Sequence, residues 1–198
     1  VYVLTVNSKP ANKSRLDRKG WLEAALAELA EGGINAIAIE KLASKLGVTR
    51  GSFYHHFQDR EELQNQMLEY WVERWTMEIR TEMTALGLDA RQTLLALMRM
   101  IRHRKAAEYD VAFRAWALND PMARKVVKRV DEIRLDYIRG LFGQLGFDEL
   151  EAENRARLFL YYEMTEPAMF AAQSKETIER LVEARHRLLT SGPDREIR

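Results

Sequence analysis

The chain has 198 residues, 46% hydrophobic and 31% charged, a globular balance outside the disordered range and long enough for one large domain or a small domain joined to a larger one. It has no cysteine, which excludes a disulfide framework and a thiolate metal site and suits a reducing compartment. The net charge of +1 hides a modest division: residues 1–60 carry nine Lys/Arg against six Asp/Glu, the remainder 22 against 24, so the positive end is N-terminal.

In chain order, residues 1–13 read as an arm. Ser14, with Asp17 three positions later and Trp21, Leu22, Ala25, Leu26 and Leu29 following at helical spacing, predicts a first helix that ends at Gly32-Gly33. Ile39, Leu42, Ala43 and Leu46 fall at i, i+3, i+4 and i+7, a second, short amphipathic helix. Gly47 supplies a tight turn, and Thr49 is placed to cap a third helix. Asp59 and Glu62 form a capping box that opens a long fourth helix, running to about Ala85.

Asp89 and Gln92 open a fifth helix with Leu94, Leu97, Met98 and Ile101 on one face, and Tyr109, Phe113 and Trp116 mark a sixth. Asn119-Asp120-Pro121 starts a seventh, with a capping aspartate and proline at the first helical position; it stops at Gln144-Leu-Gly146. Asp148 and Glu151 open an eighth helix, and Ser174 a ninth that ends near Ser191-Gly-Pro193, leaving 192–198 as a tail. No stretch alternates with period two. The fold class is therefore all-α, with nine helices. No apolar run approaches 18 residues and no signal-peptide pattern is present, so the expectation is a soluble, cytoplasmic protein with no membrane partner.

The stretch LASKLGVTRGSFYHHF, residues 42–57, separates into two faces. Leu42, Ala43, Leu46, Val48, Phe53 and Phe57 point inward; Thr49, Arg50, Ser52, Tyr54 and His55 are left outside on a short helix with an exposed N-terminus. Such a helix-turn-helix can enter the DNA major groove, where base edges are distinguishable. Arg50 can offer two donors to a guanine edge, while Thr49, Tyr54 and His55 suit phosphate oxygens. The same spacing also fits a plain helix pair packed around a tight turn.

The run GVTRGSFYHHFQDREEL, preceded by GGINAIAIEKLA and followed by a long helix, resembles the TetR family of bacterial transcriptional regulators, whose signature Gly-Val-Ser/Thr-x-Gly-x-Phe/Leu-Tyr-x-His-Phe is matched almost residue for residue. The resemblance is strong over about 14–70. Beyond that it rests on helix count and order, with Arg114-Ala-Trp116 and the Leu145-Gly-Phe147 turn similar to one branch. It implies an N-terminal three-helix DNA-binding head, residues 14–58, and a helical ligand-binding and dimerising body, residues 59–191. The family's contact positions fall on Thr49, Arg50, Ser52, Tyr54 and His55, with Arg60 at a basic phosphate position. Ala38 departs from the pattern: the family has Thr or Ser there, capping helix two and touching a phosphate. That contact is expected to be missing or to be supplied by Lys41 or Lys45. Lys9, Lys13, Arg15, Arg18 and Lys19 either add backbone or minor-groove contacts or are simply a solvated arm.

In the body, Trp71, Trp75, Met98, Tyr109, Phe113, Trp116, Tyr137, Tyr162 and Glu163 are candidate pocket residues for an apolar or aromatic effector; a packed aromatic core is the competing account. From Leu158 to Ala172 only Glu163 and Glu166 are charged, so most of helix eight needs cover, one side from its own chain and the other from a second subunit. Phe159, Met169, Ile178, Leu181, Val182 and Leu188 are the expected interface of a homodimeric four-helix bundle. Pro167 predicts a kink. Glu163 and Glu166 either bind a cationic ligand or pair with Arg185, His186 or Arg187. His55-His56 has no neighbouring carboxylate pair to complete a metal site, and no nucleophile elbow, phosphate loop or HExxH motif occurs, so neither a metal, a cofactor nor an enzyme activity is expected. The functional expectation is a dimeric regulator, a repressor of a pseudo-palindromic double-stranded operator released by a small molecule. The alternative is an architectural DNA-binding protein of the same fold without an inducer.

Overall fold

The structure is a computed structural model that describes residues 17–169 and 173–192. Among them every regular element is helical: α1 (Arg18–Gly32), α2 (Ile39–Leu46), α3 (Arg50–Phe53), α4 (60–85), α5 (Ala90–His103), α6 (Ala106–Ala117), α7 (Pro121–Gln144), α8 (Glu149–Met169) and α9 (Lys175–Thr190). A 3-10 turn, Ile34–Ala36, lies between α1 and α2. The expected arm, with Lys9, Lys13 and Arg15, lies outside the described residues, as do the side chains of Pro167 and Met169.

Most helix starts follow the local chemistry of their caps, with three corrections. The first cap is Asp17, whose carboxylate accepts the Gly20 N–H, rather than Ser14, which lies outside the described residues. At α4, Asp59 accepts the Glu62 N–H, but Glu62 reaches past the cap to the Gln58 N–H at 2.7 Å and also pairs with Arg18, so only half of the box forms. Thr49 occupies the N-cap of α3 without a side-chain cap bond. The box at Asp89 and Gln92 is complete, and Asp120 accepts from both Met122 and Ala123 with Pro121 at the first turn. The same backbone bonds hold the Asp120 carboxyl below the usual aspartate range.

Helix α4 joins the two halves and is not uniform. Arg60–Val72 and Glu78–Ala85 are α-helical, and between them Glu73–Met77 is a π turn in which the Glu78 N–H bonds the Glu73 carbonyl. The core divides along it. One cluster runs from the head, Trp21, Leu42, Phe53 and Phe57, through Leu63, Met67 and Trp71 to Phe113, Trp116 and Val127 of the body. The other joins Ile79 and Met83 to α5, the C-terminal half of α7, α8 and α9. Trp75, in the π turn, packs on both.

Candidate functional site

The turn between α2 and α3 is made by Gly47, whose φ of 66° lies in the left-handed region that a β-carbon disfavours. Behind it the two phenylalanines of the motif are buried, their rings stacked at 5.2 Å, with Trp21 edge-on to Phe53 at 5.4 Å. These rings fix the rotation of a helix only four residues long. Thr49, Arg50, Tyr54 and His55 are consequently exposed and Ser52 half-buried, so the five expected contact residues form one outward face.

Arg50 is braced on that face. Its guanidinium donates to the Tyr54 hydroxyl at 3.1 Å and pairs with Glu40 of α2 at 3.0 Å. The supporting basic residues are placed differently from expectation. Ala38 caps α2 without any side-chain bond, as a methyl group must. Lys41 and Lys45, expected to replace its phosphate contact, instead both bond Glu28, a carboxylate of α1 only 2% exposed. Their bonds hold the Glu28 carboxyl below the usual range against the opposing effect of burial. Arg60 donates to the Ile34 carbonyl at 3.0 Å and so ties α4 to the 3-10 turn.

In the body, a cavity of about 40 Å³ lies between α4, α5, α7 and α8. Trp75 and Tyr137 are the two expected pocket residues that line it; Ile79, Leu97, Ile138 and Leu160 complete most of its apolar wall. The other expected residues sit elsewhere. Trp71 stacks on Phe113 at 4.5 Å and Phe113 on Trp116 at 6.0 Å, a continuous aromatic pile with no space for a ligand. Met98 is fully buried in the second core cluster. Tyr109 lies over Trp75 at 4.7 Å, outside the lining. Tyr162 faces outward under the Arg185 guanidinium, 4.1 Å above its ring.

Glu163 is buried and does not face the cavity. It accepts from Arg185 of α9 at 2.7 Å, and Arg102 of α5 approaches it at 3.8 Å while pairing with Glu166. Burial raises its carboxyl above the usual range, and both arginines oppose the rise. Of the two readings of this pair, the structure therefore favours internal pairing over a cationic ligand.

The polar group of the cavity is one the sequence reading missed. Arg134 of α7, 8% exposed, lines the space beside Thr76. It donates to Asp110 of α6 at 2.7 Å, to the Thr76 hydroxyl at 3.0 Å and to the Trp75 carbonyl at 3.1 Å. The signal was available: Val127, Val130, Arg134, Ile138 and Leu141 form one buried stripe of α7, with a single charge in it.

The expected dimer face divides in the same way. Phe159 and Val182 are buried within their own chain and cannot meet a partner, because they fill the second core cluster. Ile178 is half-buried, while Leu181 and Leu188 are exposed. Leu158 and Tyr161 of α8, one turn apart and not singled out from sequence, are exposed as well. No group of three or more metal-ligating side chains and no helix long and apolar enough to cross a membrane occur among the described residues.

Residues 22–67 match the family described as bacterial regulatory proteins, tetR family. The HTH-type transcriptional repressor KstR2 of Rhodococcus jostii is 35% identical over 81 residues, 41% of this chain and 39% of that protein. The probable acrEF/envCD operon repressor of Escherichia coli is 26% identical over 121 residues, 57% of this chain and 54% of that protein. The matched region thus spans about half or less of the curated relatives. Among solved structures, AibR in complex with isovaleryl coenzyme A and operator DNA superposes with a TM-score of 0.70 at 16% identity, over 87% of this chain and 97% of that one. The ketosteroid regulator KstR2 of Mycobacterium tuberculosis gives 0.68 at 17%, over 90% and 94%. Residues 22–67 are thus similar to the DNA-binding segment of tetR-family regulators, and the whole chain shares the fold of solved regulators of that kind.

Proposed function

We propose that this chain is a transcriptional repressor that binds a two-fold operator as a homodimer through α3 and is released by a small effector lodged in the body. The observation that carries the DNA-binding part is the braced Arg50 on an otherwise polar, outward face of α3. A guanidinium held by two partners has lost much of its rotamer freedom before it meets a base edge, and the planar fork matches a guanine. Dimerisation through α8 and α9 is supported by the exposed Leu158, Tyr161, Leu181 and Leu188, large apolar side chains that a monomer gains nothing by exposing.

The effector reading rests on the cavity and its neighbour. About 40 Å³ is far below the few hundred Å³ of an ordinary ligand pocket, so an occupant must part α4 from α7. That movement displaces the helix that carries the head. Arg80, Ile133 and Tyr137 also line an outer groove of about 680 Å³ with Arg139 and Arg157 on its wall. A ligand with a short apolar group inside and a polar part in the groove, whose wall also carries Glu132, Asp136 and Glu153, fits this pair of spaces. The likeness to AibR, whose structure holds isovaleryl coenzyme A, supports that class.

The test is selection of duplexes from a randomised pool by the full chain, followed by footprinting. A two-fold footprint with half-sites about one helical turn apart supports the reading, and binding with no sequence preference overturns it.

A further inference from the structure

We propose that Arg134 is the polar anchor of the body cavity, that it takes the neutral carbonyl oxygen of a short acyl group, and that the same guanidinium passes occupancy to the π turn of α4. The proposal rests on the effector reading above and names the chemistry and the relay of that site.

The class of ligand follows from charge. Arg134 is already paired with Asp110, a carboxylate 0% exposed, and the other charged residue of the lining, Arg80, is exposed and shared with the outer groove, so the buried part of the wall is electrically neutral. A ligand carboxylate would bring an uncompensated negative charge into a space lined by Trp75, Ile79, Leu97 and Leu160, at a large desolvation cost. A ketone, ester, thioester or amide oxygen brings an acceptor without a charge. A donor exists for it. A guanidinium has five N–H groups, and the bonds to Thr76, Asp110, Met164 Sδ and the Trp75 carbonyl use four. The fifth is on Nη2, the nitrogen that holds Trp75. A purely apolar ligand would fill the cavity and leave that donor unmet.

The relay follows from what else the guanidinium holds. Thr76 and the Trp75 carbonyl both belong to the π turn Glu73–Met77, the one place where α4 departs from α-helical register. The face of the guanidinium also lies 5.3 Å from the ring of Trp71, one turn nearer the head. A carbonyl drawing Nη2 into the cavity therefore moves the anchor of the turn, and Arg60–Val72 shifts against Glu78–Ala85. Arg134 touches the cavity, the π turn and α6 together.

The experiment uses the full chain, a duplex selected by it, and three molecules built on the same isopropyl group: methyl isopropyl ketone, isobutyrate and isopentane. Binding is followed by tryptophan emission, to which Trp75 contributes from the cavity wall, and operator affinity is measured beside it. The ketone should bind about ten-fold or more tightly than either of the others, the scale of a hydrogen bond to a charged donor. It alone should weaken the duplex complex.

The double variant Arg134→Met/Asp110→Leu replaces the buried pair by apolar groups of similar size, a change that buried pairs tolerate. It should bind ketone and hydrocarbon within about three-fold of each other, and its duplex affinity should no longer respond to the ketone. Tighter binding of isobutyrate, absence of binding by all three, or a ketone preference that survives in the double variant overturns the proposal. If the double variant does not fold, the ranking of the three molecules on the unaltered chain decides. Release that persists in a folded double variant would refute the relay while leaving the repressor reading intact; loss of all sequence-specific duplex binding would strike that reading instead.

Discussion

The Arg50 guanidinium stands 3.0 Å from Glu40 of the preceding helix and 3.1 Å from the Tyr54 hydroxyl one turn along its own. One partner comes from each helix of the motif, so the geometry of the turn itself aims the side chain. Arg50→Ala should weaken the selected duplex roughly ten- to a hundred-fold and flatten discrimination at one base position. Binding measured across single-base variants of that duplex checks this. An unchanged specificity ratio would remove Arg50 from direct readout.

Glu40 has two opposed effects, and they separate in one measurement. Glu40→Gln removes a negative charge from the DNA-facing side and half of the brace. Affinity for random duplex should rise, while the ratio of selected to random duplex should fall. A side chain that served only to keep α2 folded would lower both together.

Arg60 links the head to α4 through the Ile34 carbonyl, and its side chain is exposed. Arg60→Ala should weaken all duplexes alike. If the guanidinium also meets a phosphate in the complex, the dependence of log affinity on log salt should shallow by roughly one unit. An unchanged slope with uniformly weaker binding assigns it to the carbonyl alone.

Lys41 and Lys45 give the head a pH dependence through Glu28. Their hydrogen bonds, the largest influence on it, place the folded Glu28 carboxyl below its ordinary value of 4.5. The stabilisation is therefore fully present above about 4.5 and is lost as pH falls through the lower folded value. Melting of the head, followed by emission of the buried Trp21, should drop steeply below that point. In Glu28→Gln the drop should flatten, with a melting temperature about 2–4 °C lower at neutral pH.

The head and the helix starts were legible because their causes are local. Gly47, the pair Phe53 and Phe57, and the caps at Asp89, Asp120 and Ser174 act within a few residues, and each is where its spacing put it. The cavity was not legible in this way. The Trp75 carbonyl is held by a side chain 59 positions along, and nothing in Glu-Arg-Trp-Thr-Met announces a π turn. Aromatic content pointed to Phe113 and Trp116, yet large flat rings stack, and these two close the space between them. The marks of the site were charges out of place: Arg134 in an apolar stripe of α7, and Asp110 between Ala106 and Phe113 on α6.

The α8 and α9 face offers a test in which stability and assembly move apart. Leu188 is 75% exposed and Leu158 64%, so neither contributes much to the fold of one chain. Leu188→Arg or Leu158→Arg should leave the melting temperature of the chain nearly unchanged when measured at high dilution. Either should shift sedimentation from dimer to monomer and weaken the two-fold operator sharply, since a single head meets only one half-site. Phe159 and Val182 face the other way, into the core shared by α5, α7 and α8. Phe159→Ala should cost about 3–5 kcal/mol of stability by leaving a cavity, whatever the state of assembly. Sedimentation and thermal melting of the three variants, taken together, decide the matter. An unaltered chain that sediments as a monomer at micromolar concentration, or a Leu188→Arg variant that remains dimeric and keeps its operator affinity, would place the interface elsewhere on the body.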